Sequence, residues 1–145
     1  MATVLDVILA KGDAIHSIGP AESVLDAVNK MNQFKIGCLM VIQGEQVVGI
    51  FTERDVLRRV IGEGRNVADV TVGEVMTSDV VCCPPETDLD DVSAIMKNRR
   101  VRHVPVCDDE GKLHGVVSIG DVNAFSASNQ EQTIHFLNEY IYGRA

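Results

Sequence analysis

Val48-Gly-Ile-Phe-Thr-Glu-Arg-Asp55 and His114-Gly-Val-Val-Ser-Ile-Gly-Asp121 are two versions of one phrase, 66 positions apart. Each runs from an apolar strand containing a glycine to a hydroxyl residue, with an acid three places further on. Working outward, Glu22-Ser-Val-Leu-Asp-Ala-Val-Asn-Lys-Met31 returns 65 positions later as Thr87-Asp-Leu-Asp-Asp-Val-Ser-Ala-Ile-Met96. Between these blocks Ile36-Gly-Cys-Leu-Met-Val41 lies over Val101-Arg-His-Val-Pro-Val106, and one extra residue in the Cys107 to Lys112 turn accounts for the change of spacing. An internal repeat means that each unit is incomplete alone and buries its apolar face against its neighbour. Two like units related by a pseudo-two-fold axis enclose two equivalent clefts, and those are where function is expected.

The composition narrows the class. A chain of 145 residues with 46% hydrophobic residues is long enough for a packed core. Tryptophan is absent and aromatics make up 4%, so the core is expected from Val, Ile, Leu, Met and Ala. A net charge of −8 excludes a broad nucleic-acid surface, which needs clustered Lys and Arg. The longest apolar runs fall well short of the ~20 residues of a membrane span. Val4 to Ala10 is interrupted by Asp6 and has no basic residues before it, which argues against a signal peptide and for a reducing cytoplasm. Cys38, Cys82, Cys83 and Cys107 lack metal-type spacing and are expected as small buried apolar residues.

The element pattern is β-α-β-β-α, twice. Val4, Leu5, Ile8 and Leu9 form a helical stripe ended by Gly12. A strand is expected over Ala14 to Ile18, then a helix capped by Ser23 and running to Phe34. Strands follow at Cys38 to Ile42 and Val47 to Phe51, with a helix from Glu53 to Ile61. After a helical turn at Val72 to Met76 the order returns: strand Val80 to Cys83, helix Asp88 to Asn98, strands Arg102 to Cys107 and Leu113 to Val117, helix Ile119 to Ala127. A last helix, Asn129 to Tyr142, carries Ile134, Leu137 and Ile141 on one face. The fold class is α/β (α+β): residues 1–64 as the first repeat, residues 65–145 as the second with a C-terminal helix.

Thr52-x-x-Asp55 and Ser118-x-x-Asp121 carry the chemistry. In the plainer reading each is a helix capping box, worth about 1 kcal/mol. The same geometry has a second use. A helix N-terminus offers N–H groups and a positive dipole end to an anion, and a carboxylate one turn in can accept from the two hydroxyls of a ribose. Phosphate and ribose together make a nucleotide. One such motif is weak evidence; two at equivalent positions weigh more.

At this point each half resembles a CBS motif, and the whole chain resembles a CBS pair (a Bateman module). The markers are Ala27/Val92, Met31/Met96, the Val104-Pro-Val106 strand and the Gly-h-h-[ST]-x-x-Asp phrase in both copies. The phrases around Gly49 to Asp55 and Arg102 to Asp121 look most like stand-alone CBS-pair proteins. The resemblance implies a regulatory adenosine-binding module with no catalytic cofactor and no enzyme activity. It implies that Asp55 and Asp121 hold ribose, that Thr52 and Ser118 lie near phosphates, and that adenine sits against Ile15 and His16 or Val80 and Val81. Arg99, Arg100, Arg102 and His103 form a basic cluster with no counterpart in the first repeat, fitted to a phosphate end. Arg54, Arg58 and Arg59 are a second source of positive charge, although Arg58 and Arg59 read rather as surface or dimer contacts.

Three classes of function remain. The first is a homodimeric sensor that binds AMP, ADP, ATP or NAD, the basic cluster arguing against S-adenosylmethionine, and signals to a separate effector protein. The second is a ligand-free dimerisation or interaction module. The third is a redox protein using Cys82 or Cys83, which needs a thiol of lowered pKa. The residues favour the first, with no nucleic-acid or membrane partner.

Overall fold

A computed structural model describes residues 2–12 and 15–128; the expected helix at Asn129 to Tyr142 and residue Ala14 lie outside the described residues. Helix α1 (Val4–Lys11) opens on a capping box between Thr3 and Asp6 and closes on Gly12, whose φ of 64° is the left-handed turn that glycine adopts without strain. Then come β1 (Ser17–Ile18), α2 (Val24–Phe34), β2 (Cys38–Gln43) and β3 (Gln46–Thr52). Helix α3 (Glu53–Asp55) passes straight into a wider π-type stretch, Val56–Ile61. The second half supplies α4 (Val72–Val75), α5 (Leu89–Arg99), β4 (His103–Cys107), β5 (Leu113–Ser118) and α6, helical over residues 119–128. The architecture is mixed α/β, as the repeat implies.

One sheet has the order β1-β2-β3 and the other is the β4-β5 hairpin. Strand β1 runs parallel to β2 (Ile18 opposite Val41), and β2 pairs antiparallel with β3 (Cys38 opposite Thr52). The β4-β5 register repeats this, with His103 opposite Ser118. Helices α2 and α5 end alike, on Lys35 and Arg100, each at φ 55°.

The expected strand from Val80 to Cys83 does not form. Only an isolated parallel bridge, Cys83 to Val106, survives there. The cause is proline. In the first repeat Met40 N–H donates to His16 C=O at 3.1 Å. The equivalent of Met40 is Pro105, which has no N–H to give to Val81, and Pro84 cannot extend the ladder beyond Cys83.

Two apolar cores form, and the short N-terminal helices are exchanged between them. Val70, Val72 and Val75 pack with Ile18, Ala27, Met31, Leu39 and Phe51. Val4 and Val7 pack instead with Val92, Met96, Val104, Val106 and Val117. The same three hydrogen bonds hold each exchange. Val4 N–H donates to Thr87 C=O, Leu5 N–H to Pro85 C=O and Leu89 N–H to Ala2 C=O, at 2.9, 3.1 and 3.2 Å. Their counterparts are Val72 to Glu22, Gly73 to Pro20 and Val24 to Val70, at 2.8, 2.9 and 2.8 Å. Each half of the chain therefore completes the other.

Of the cysteines, only Cys83 is buried as expected; Cys38 and Cys107 are half-buried and Cys82 is exposed. The absence of a strand over residues 80–82 leaves Cys82 in solvent.

Candidate functional site

Both capping boxes form, at the ends of β3 and β5. Asp55 N–H donates to Thr52 Oγ1 at 3.4 Å, and Asp55 Oδ2 accepts from Thr52 N–H at 3.0 Å. Asp121 N–H donates to Ser118 Oγ, and Asp121 Oδ2 accepts from Ser118 N–H, both at 3.0 Å. The next N–H is tied down equivalently. Glu53 N–H donates to Gly37 C=O at 3.1 Å and Ile119 N–H to Arg102 C=O at 2.9 Å. Gly37 and Arg102 occupy the same place in the two repeats.

Two clefts meet at Gly37 and His103, which line both. The first, about 320 Å³, has Ile15, His16 and Phe34 on one side and Ser118 on the other, with Ile8 and Lys11 from α1. His16 and Phe34 stack with ring centroids 4.3 Å apart. Lys11 Nζ reaches Asp121 Oδ2 at 2.9 Å and also donates to Val116 C=O at 3.3 Å. Burial works to raise the Asp121 carboxyl, but hydrogen bonds from Ser118 and Lys11 outweigh it and hold it below the usual carboxylate range.

The second cleft, about 410 Å³, is lined by Thr52, Asp55 and Thr77, and by Arg54, Arg58 and Arg102. Asp55 is only 4% exposed. Besides its capping box, its Oδ1 accepts from Thr77 Oγ1 at 3.1 Å, and Arg59 Nε stands 3.8 Å away. His103, at the junction, is held below its ordinary value by burial, reinforced by the positive charge of Lys11.

The structure thus brings Ile15 and His16 of the first repeat to Ser118 of the second, and Thr52 and Asp55 of the first to Arg102 and His103 of the second. Val80, Val81 and Arg100 line neither cleft; the Arg100 carbonyl accepts from Arg54 Nη1 at 3.0 Å. Arg99 pairs at the surface with Asp79 at 3.8 Å. Arg58 is exposed, as expected, and also lines the second cleft, and Arg59, likewise exposed, donates to the Met76 carbonyl at 2.9 Å.

Lys11 and Thr77 are the site residues that strand-and-helix periodicity does not single out. The signal that finds them is a further copy of the repeat, Thr3-Val-Leu-Asp-Val-Ile8 over Thr71-Val-Gly-Glu-Val-Met76, now 68 positions apart. Thr77 follows directly on the second of these segments, and Lys11 is the last residue of the helix that the first one opens.

Comparison with known proteins shows the family. The CBS domain family matches residues 11–62 and 72–127. This chain belongs to the CBS-domain family. It is 37% identical to the mitochondrial CBS domain-containing protein CBSX3 of Arabidopsis thaliana, over 97% of this chain and 72% of that protein. A CBS-domain protein from Burkholderia ambifaria superposes with a TM-score of 0.85 at 36% identity, covering 89% of this chain and 96% of that one. The match to inosine-5'-monophosphate dehydrogenase of Methanocaldococcus jannaschii is 33% identical over 74% of this chain, but only 21% of that enzyme is covered. Likeness to that enzyme is therefore likeness to its CBS region. Among the described residues of this CBS pair no helix is long and apolar enough to cross a membrane, and no cluster of His, Cys, Asp or Glu is arranged to hold a metal ion.

Proposed function

We propose that this CBS pair is a non-catalytic regulatory module that binds an adenosine nucleotide in its clefts and passes the occupancy to a separate effector protein. The observation that carries this reading is the second cleft. It combines a helix N-terminus, a buried ribose-type carboxylate on Asp55, and Arg54, Arg58 and Arg102 in a protein of net charge −8. Three guanidinium groups about one cleft fit a phosphorylated ligand, AMP, ADP, ATP or NAD, better than S-adenosylmethionine. A ribose at Asp55 replaces the Thr77 hydroxyl on Oδ1.

In the first cleft, Ile15, His16 and Phe34 form the wall against which adenine packs, and Ser118 and Lys11 form its polar end, with Asp121 behind Lys11 rather than on the lining. Lys11 already occupies the Asp121 carboxylate. A ribose entering there must move the ammonium aside, or take it as a phosphate partner. The first cleft is accordingly the weaker nucleotide site.

The association state is part of the same proposal. Leu57 and Ile61, on the π-type stretch, are 62% and 59% exposed and support pairing with a second copy of the chain. Free thiols fit the reducing cytoplasm.

The test is a thermal-shift series with AMP, ADP, ATP, NAD and S-adenosylmethionine on protein freed of bound nucleotide. A ligand at about 100 times its dissociation constant adds roughly 2.7 kcal/mol, a melting shift of several degrees. A shift with a phosphorylated adenosine, lost in Arg102→Ala, is the expected result. No shift with any ligand at millimolar concentration overturns the reading in favour of a ligand-free interaction module.

A further inference from the structure

We propose that Cys82 and Cys107 form a reversible disulfide that fastens the segment 77–83 to the end of β4. Their Sγ atoms lie 3.2 Å apart with both thiols free, and the two residues are 25 positions apart in sequence. A disulfide bond is about 2.05 Å long, so closure needs the sulfurs to approach by only about 1.2 Å.

The backbone is already arranged for it. Cys83 N–H donates to Pro105 C=O at 2.9 Å, and Cys107 N–H donates to Cys83 C=O at 3.0 Å. These bonds fix the two chains side by side across the Cys83–Val106 bridge. Alternation along extended backbone sends Cys83 and Val106 into the core and leaves Cys82 and Cys107 together on the opposite face. Cys82 is exposed and Cys107 half-buried, so a small oxidant reaches the pair from solvent.

The oxidant is a low-molecular-weight disulfide, RSSR. The Cys82 thiolate attacks one sulfur of RSSR; the S–S bond breaks and RS⁻ leaves, taking up the proton that Cys82 released. The Cys107 thiolate then attacks the Cys82 sulfur of the mixed disulfide, and the second RS⁻ leaves and takes up the Cys107 proton. Two cysteines are oxidised, one RSSR is reduced to two RSH, and both protons are accounted for. Cys82 is the exposed thiol of the pair and meets the oxidant first, whereas burial pushes the Cys107 thiol up to about 12. Held against Cys82, Cys107 needs no encounter step, and proximity offsets its weak acidity.

The bridge has a structural consequence at the clefts. Segment 77–83 carries Thr77, whose hydroxyl donates to Asp55. Strand β4 begins at His103, which lines both clefts. Oxidation joins the two segments covalently. The disulfide itself does not depend on whether nucleotide binds.

The experiment uses the full chain, incubated with oxidised and reduced glutathione at stepped ratios, quenched by alkylation and mapped by peptide mass spectrometry. The expected result is loss of two thiols per chain, a Cys82–Cys107 linked peptide, its reversal by dithiothreitol, and a melting temperature raised by roughly 5–10 °C. Cys107→Ser should stop at a glutathione adduct on Cys82, and Cys82→Ser should take up none at Cys107. A wild-type chain that stops at the glutathione adduct, links through Cys83 or Cys38, or joins two chains overturns the proposal. The wild-type peptide map decides the matter even where a serine variant folds poorly.

Discussion

Lys11 and Asp121 stand 110 positions apart in sequence and meet at 2.9 Å, the last turn of α1 delivering its ammonium to the carboxylate that caps α6. The equivalent carboxylate, Asp55, meets the Thr77 hydroxyl instead. The difference follows from helix length. Helix α1 runs for 8 residues before Gly12 ends it, whereas α4 runs for 4 and then turns extended at Met76. One exchanged segment therefore ends in a cation and the other in a neutral donor, and the two clefts differ in charge although their capping boxes are alike.

Replacing Lys11 with Met should remove one of the contacts that hold the Asp121 carboxyl down. The pair's side chains are 31% and 24% exposed, so the cost at neutral pH is at most about 1 kcal/mol. A carboxyl held low in the fold contributes stability above its unfolded pKa of about 4, and that contribution is lost as pH falls through the folded value. Melting temperature followed across the acid limb should therefore fall less steeply for Lys11→Met than for the wild type. Superimposable profiles would show that Lys11 does nothing for Asp121.

Thr77→Val should be costlier than its exposure implies. It leaves Asp55 Oδ1 short of a donor inside a site where the carboxylate is 4% exposed. A buried acceptor deprived of its partner costs about 1–3 kcal/mol. Thr77→Ser keeps the hydroxyl and should lose less than about 1 kcal/mol by the same reasoning. Urea unfolding of the two variants measures the difference, and a Thr77→Ser loss as large as that of Thr77→Val would contradict the dominance of the hydrogen bond.

The glycines of the repeated phrase should respond unequally to alanine. A Cβ at Gly49 meets Met76 Sδ at 2.6 Å and the Thr77 carbonyl oxygen at 2.9 Å, and the latter is backbone. At Gly115 the nearest atoms are those of the Ile8 side chain, from 3.1 Å. Gly49→Ala should cost about 1–3 kcal/mol through overpacking, and Gly115→Ala clearly less, since Ile8 has rotamers to yield with. Chemical denaturation ranks them; the reverse order would refute the packing assigned to α4.

His103 should make the fold sensitive to mild acid. Burial, and then Lys11, hold its pKa below the ordinary histidine value. The unfolded chain therefore binds the proton first. Stability is complete above about pH 6.5 and declines as pH falls towards the folded value. His103→Gln should remove that part of the decline. A bound phosphate reverses the balance by favouring the imidazolium, so nucleotide affinity should rise from about pH 8 to about pH 6 in the wild type and stay flat in His103→Gln. Parallel titrations at those two pH values test both statements.

Much of this was legible in the chain because the elements repeat. Helices α2 and α5 and strands β2 to β5 follow from apolar spacing, and the hydroxyl-x-x-acid phrase marks both helix starts. The failure at Val80 to Cys83 has a local cause, since the Val and Cys pattern favours a strand while Pro105, 22 or more positions later, withholds the N–H it needs. The exchange of α1 and α4 is a matter of tertiary packing, and no periodicity within either segment reveals which core it enters. For the same reason Lys11 and Thr77 acquire their roles only once the exchange is known. Arg54 and Arg58 read from the sequence as a second source of positive charge, Arg58 more as a surface contact, and it is the approach of Arg102 from the other repeat that sets them along one cleft.

Isothermal titration of nucleotide-free protein with AMP, ATP and NAD, on the wild type beside Arg102→Ala and Lys11→Met, tests the central claim most directly. One phosphorylated adenosine should bind with saturable heat, Arg102→Ala should weaken it at least about tenfold, equivalent to roughly 1.4 kcal/mol, and Lys11→Met should not weaken this tighter site. Absence of binding at millimolar ligand, or equal affinity in the wild type and Arg102→Ala, would contradict it.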